Sequence, residues 1–204
     1  MPLVLIIIVL YLIMKLDSNK ANKKVIKEKQ EFWNKEYKSN EIRKKDISSL
    51  PFIKIPLNEL PMKDTTDETL LALQHSITNL SKVSILNLTG ISNTDLKLQY
   101  GVANLTFLSE CDNNYTLLVN SLYKWGSYLY ELGYINDAKI VLEYGITCNT
   151  DISKNYILLA NIYKEQNTPN KINNLLDTIS NLNTINKESL LRLVKEIKNS
   201  TYLV

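Results

Sequence analysis

At 204 residues the chain is long enough for one folded domain with attachments, and its five Gly and five Pro leave few breakers in a sequence rich in Leu, Ile, Lys, Glu and Asn, so a mostly helical protein is expected. Two cysteines, Cys111 and Cys148, are too few for a disulfide framework and fit no metal spacing, and the single histidine, His75, has no catalytic motif beside it. The net charge of +3 is uneven: eleven Lys or Arg against five Asp or Glu between Lys15 and Lys45 leave the rest of the chain at −3, which excludes a basic nucleic-acid-binding body.

The chain opens on an uncharged run, Leu3 to Met14. With Leu16 this apolar span makes roughly 21 Å of helix, shorter than the hydrocarbon core of about 30 Å, but Met1, Pro2 and the stem of Lys15 extend it. β-branched residues all around the helix leave no polar face, nothing basic precedes Leu3, and no small-residue cleavage site follows. Residues 1–16 are therefore expected to be an uncleaved transmembrane anchor. The basic flank follows it, at Lys15, Lys20, Lys23, Lys24, Lys27 and Lys29. Lys and Arg favour the cytoplasmic side, so the N-terminus is expected outside the cell membrane, in a single pass, with the C-terminal domain in the cytoplasm.

Residues 17–45 read as a charged, basic helical stalk with Val25, Ile26, Phe32, Trp33 and Tyr37 set among the charges. The plainer reading is a solvated spacer; the sharper one is a docking stripe. Pro51, Pro56 and Pro61 then forbid a helix over 46–64. Phe52, Ile53, Ile55, Leu57 and Leu60 nonetheless need burial, so this linker is expected to lie extended along the helical body.

That body covers 65–200. Thr66-Asp67-Glu68-Thr69 opens a first helix with Leu70, Leu71, Leu73, Ile77 and Leu80 on its apolar face, and Ser92-Asn93-Thr94-Asp95 opens a second. A short helix is expected over Leu105 to Glu110. Amphipathic segments follow over Asn114–Leu132, Ile135–Ile146, Ser153–Gln166, Asn170–Leu182 and Lys187–Asn199. Their short connections require antiparallel neighbours.

These segments repeat. Trp125-Gly126, Leu129, Gly133, Ala138 and Leu142 align, 34 residues on, with Leu159-Ala160, Tyr163, Asn167, Ile172 and Leu176, where Asn167, Ile172 and, further on, Thr184 depart from the usual Gly, Ala and Pro; a further step lands on Leu193-Val194 and Ile197. This pattern resembles the tetratricopeptide superfamily, with repeats at 119–152 and 153–186 and a capping helix at 187–199. The whole chain also resembles a group of short membrane-anchored proteins of clostridium-like bacteria, through its apolar start, Phe32-Trp33 to Lys45, Ile55-Pro56 to Pro61, and Leu86 to Leu96. The resemblance implies an all-α solenoid that binds a protein or peptide on the concave face of its first helices. By helical position those residues are Asn120, Tyr123, Ser127 and Tyr130 in one unit, and Lys154, Ile157, Asn161 and Lys164 in the next. No catalytic or metal site and no cofactor is read from the sequence. The functional expectation is a membrane-anchored adaptor, with a permanently assembled accessory subunit of an envelope complex as the alternative.

Overall fold

The computed structural model describes residues 2–182, 184 and 186–200, with the side chains of 2–14, 16–19 and 21 outside the description. Its elements are α1 (Pro2–Asn40), α2 (Glu68–Leu80), α3 (Asn93–Tyr100), a short 3-10 turn (Val102–Asn104), α4 (Leu105–Glu131), α5 (Ile135–Thr147), α6 (Ser153–Glu165), α7 (Pro169–Ser180) and α8 (Lys187–Asn199). The protein is all-α, with no strand among the described residues. No helix among the described residues is long and apolar enough to cross a membrane, and the side chains of the expected anchor, residues 1–16, lie outside the described residues except for Lys15.

The chain forms two compact units, residues 1–48 with 91–106, and 49–90 with 107–204. Residues 91–106, expected within the helical body, thus pack with the stalk. The physical reason is a polar cluster at the end of α1. Lys97, buried on α3, pairs with the Glu36 carboxylate and donates to Asn40 Oδ1 at 2.9 Å, while the Thr94 hydroxyl donates to Glu36 Oε2 at 2.6 Å. Lys35 adds an exposed pair to Asp95 at 2.6 Å. Ser92 caps α3: its hydroxyl accepts from the Asp95 N–H at 3.2 Å and donates to the Asp95 carboxylate at 2.6 Å. The helix ends at Gly101, whose φ of +86° and whose contact with the Arg43 carbonyl leave no place for a Cβ. Asn104 then ties the chain down, donating to Lys45 O at 2.8 Å and Tyr100 O at 2.7 Å.

The proline segment, expected to be extended, turns at 57–60, where the Glu59 N–H donates to Pro56 O at 2.9 Å, and in the second unit the Ile53 N–H donates to Ile85 O at 2.9 Å. Leu60 is buried, and Ile53, Ile55 and Leu57 pack against the core. Asp67 caps α2 by accepting from the Leu70 N–H at 2.9 Å, and also accepts from the Tyr128 hydroxyl on α4 at 2.7 Å. Buried Gln74 fixes the end of the proline segment, accepting from the Lys63 N–H at 2.5 Å and donating to Lys63 O at 2.9 Å.

The short helix expected over 105–110 and the segment over 114–132 are one helix, α4. No Gly or Pro interrupts Leu105 to Tyr115, and Leu108, Cys111, Tyr115, Leu118, Leu122, Trp125 and Leu129 make one buried stripe at helical spacing. Its contact with α5 is close. A Cβ on Gly126 would sit 2.7 Å from Leu142 Cδ2 and 3.5 Å from Ala138 O. The turns leaving α4 and α6 are alike 34 residues apart. Gly133 has φ +81° and Asn167 φ +51°. The Tyr134 N–H donates to Leu129 O and the Thr168 N–H to Tyr163 O, each at 2.9 Å. These are helix ends closed by a left-handed residue, a place Gly fills freely and Asn tolerates. α6 packs on α5, α7 and α8, and α7 on α8.

Buried polar groups pin the α5–α6 turn. The Tyr115 hydroxyl donates to Asn149 O at 2.8 Å and the Tyr156 hydroxyl to Thr150 O at 2.7 Å. Burial, with Asp151 nearby, pushes the Tyr156 phenol up to about 12, so it stays a donor across the physiological range. Buried Asn155 donates to Leu142 O at 3.1 Å, and a Cβ on Gly145 would lie 3.1 Å from Asn155 Oδ1, so this approach also needs a small residue.

Enlarging the helix contact should destabilise the domain. Ala138, with no exposed surface, lies beside Gly126, and Ala138→Leu is expected to cost about 1–3 kcal/mol in urea unfolding, against under about 0.5 kcal/mol for exposed Lys154→Ala. Equal midpoints for the two variants would refute the packing register.

The α1–α3 contact should depend on pH. Hydrogen bonds from Lys97 and then Thr94 hold the Glu36 carboxyl below the ordinary carboxylate range. Its stabilising effect is therefore present above the unfolded value of about 4.3 and lost as pH falls through the lower folded value. Amide protection factors in the last turn of α1 and in α3 are expected to fall below about pH 4.3. Glu36→Gln should exchange faster already at pH 7 and lose that part of the acid dependence.

Candidate partner-binding face

The residues expected on one face lie on α4 and α6, and hydrogen bonds run from α4 to α6 and from α6 to the residue after α8. The Tyr130 hydroxyl on α4 donates to Glu165 Oε1 on α6 at 2.6 Å. Lys164, next along α6, donates to the Ser200 hydroxyl beyond α8. Two of the expected face residues, Tyr130 and Lys164, thus sit in a polar row with Glu165 and Ser200. Those last two were missed by sequence reasoning, although both stand about one repeat from their partners.

The other expected residues divide by exposure. Asn120 and Lys154 are exposed, and Tyr123, Ser127, Ile157 and Asn161 are half-buried. Asn120 donates to Thr116 O on its own helix at 2.7 Å, and Ser127 donates weakly to Glu131 Oε1 at 3.4 Å. Tyr123 and Ile157 have their apolar parts against the core. The expected residues thus combine exposed polar side chains, Asn120 and Lys154, with half-buried apolar ones, Tyr123 and Ile157.

The hydrogen bonds between α2 and α4 run through Ser76 and Ser121, whose hydroxyls are 3.1 Å apart, and through the Asp67 cap to Tyr128. One hundred degrees per residue puts Ser121 and Tyr128 on a different side of α4 from Asn120, Tyr123, Ser127 and Tyr130.

A cavity of about 250 Å³ is lined by α5, α6 and α7 and contains none of the expected residues. Glu143 organises it, accepting from the Tyr163 hydroxyl at 2.8 Å and pairing with Lys171 at 2.9 Å, with the Lys171 ammonium also 5.2 Å from the Tyr163 ring centre. Burial, and the Glu143 carboxylate it donates to, hold the Tyr163 phenol well above its usual range. These charges satisfy one another.

His75 is exposed on α2. No group of His, Cys, Asp and Glu among the described residues is arranged to hold a metal ion. Comparison with family models, curated proteins and solved structures returned no match.

Cys111 and Cys148 are both free and buried, and burial raises both thiols above their ordinary range. At pH 7.5 a disulfide reagent should label the native protein slowly and both cysteines at once in denaturant. Cys148 lines a surface concavity with Pro51, Asn87 and Tyr144, so it is expected to react first. Rapid labelling of Cys111 in the native state would contradict its burial.

Proposed function

We propose that this chain is a membrane-anchored interaction module, a tetratricopeptide-like helical domain held at the cell membrane by residues 1–16 and presented to the cytoplasm, where the strip on α4, α6 and α8 holds a protein or peptide. The observation that carries the reading is the recurrence, 34 residues apart, of the same left-handed helix end at Gly133 and Asn167, with α6 packed between α5, α7 and α8. Stacked helix pairs of this kind leave an extended face built from the first helices. Asn120 and Lys154 on it keep exposed polar groups. The uncharged run from Leu3 to Met14 and the six lysines between Lys15 and Lys29 support the anchor and its direction.

The test is a pull-down of the full chain from membranes in mild detergent, repeated with Asn120→Ala plus Lys154→Glu. Both side chains are exposed, so the melting temperature should hold while recovery of the partner falls at least fivefold. Undiminished recovery would remove the strip from the binding surface. A reporter fused after Val204 should work only in a cytoplasm-dependent assay; activity of an exported reporter there would reverse the topology.

A further inference from the structure

Helix α1 carries an apolar stripe that the fold leaves bare. Val25, Ile26, Phe32, Trp33 and Tyr37 are all more than half exposed, from 53% at Phe32 to 69% at Tyr37. At 3.6 residues per turn they fall within an arc of about 140°. The Phe32 and Trp33 rings meet edge to face at 5.5 Å. The ion pairs Lys24–Glu28 and Lys27–Glu31 lie on the opposite, solvated side. Toward the C-terminus the same arc holds Glu36 and Asn40, which α3 engages through Lys97. The arc is thus a helix-packing face whose last turn has a partner helix, while the turns before it stay exposed among the described residues.

Lys29 decides what fits there. It is exposed and makes no ion pair among the described residues, and it stands at the centre of the stripe, one turn after Val25 and Ile26 and one turn before Phe32 and Trp33. A second copy of α1 lying parallel would set Lys29 against Lys29 inside an apolar contact, where like charges repel with little screening. If α1 continues from an anchor ending at Leu16, as the proposed function holds, Val25 lies about 14 Å and Trp33 about 26 Å further along the helix. The headgroup layer on one side of a bilayer is only about 5–8 Å deep, so a helix crossing it holds the stripe clear of lipid.

We propose that this stripe is the docking face for one amphipathic helix of another protein, which places a carboxylate within its own apolar face against Lys29. Val25 to Tyr37 spans about 18 Å, so the contact needs a partner helix of about twelve residues with apolar side chains at intervals of three and four. The site is separate from the strip on α4, α6 and α8.

The test uses the full chain in its own membrane, with a photo-cross-linking amino acid in place of Tyr37. The expected product is one adduct with a different protein, whose cross-linked segment is an acidic amphipathic helix. Lys29→Glu should reduce that adduct at least tenfold, and Asn120→Ala with Lys154→Glu should leave it unchanged, which separates this site from the repeat face. Purified chain in zwitterionic nanodiscs supplies the second measurement. Trp125 is already fully buried, so a blue shift in tryptophan emission reports Trp33. A Leu-striped helical peptide with Glu at its centre should produce the shift at a concentration at least tenfold lower than the same peptide with Lys, and Lys29→Glu should reverse that order. A self-adduct, a lipid adduct, no adduct, or equal response to the two peptides would each overturn the proposal.

Discussion

Where α4 and α5 cross, there is no room for a side chain at Gly126. Leu142 fills the space that a Cβ on Gly126 would take, and Ala138, with no exposed surface, brings the α5 backbone within reach of the same point. A contact this close fixes the separation and the rotation of the helix pair together, because packed interiors accommodate neither a void nor an extra methylene cheaply. The rest of the unit follows from it. Trp125, Leu129 and Val141 face inward only in this register, and the α5–α6 turn then falls where Tyr115 and Tyr156 can bind its carbonyls. The approach of α6 to α5 uses the same solution, with Gly145 set against Asn155.

The smaller unit is held differently. Its contact between α1 and α3 is largely polar, centred on Lys97 and Glu36, with Thr94 and Asn40 using the remaining hydrogen-bonding capacity of the pair. A buried ion pair adds little net stability, since desolvation offsets most of the Coulomb attraction, but it is costly to misalign. Such a contact selects one register of α3 on α1. It also has a sequence cost at Gly101, where the chain must turn with positive φ directly against the Arg43 carbonyl.

Two surfaces follow from these two kinds of packing. The expected strip on α4 and α6 combines exposed polar side chains with half-buried apolar ones. The stripe on α1 is apolar with one cation at its centre.

Much of the architecture was legible from residue order. The caps at Asp67 and Ser92, the exclusion of helix by Pro51, Pro56 and Pro61, and the 34-residue recurrence that ends in Gly133 and Asn167 are local chemistry, in which a residue's own backbone preference decides the outcome. Asn167 departs from the usual glycine at the sequence level yet makes the same turn, since Asn tolerates the left-handed region. The alternation of buried and exposed positions also separates Asn120 and Lys154 from the core. What residue order could not supply was which helices meet. Lys97 and Thr94 read as ordinary residues of a short helix, and only folding brings them to Glu36, about sixty positions away, and so moves 91–106 into the unit of α1. Glu165 and Ser200 likewise join the face through partners on other helices. Periodicity determines which side of a helix is buried. The identity of the neighbour depends on contacts between distant segments, and those exist only in the tertiary structure.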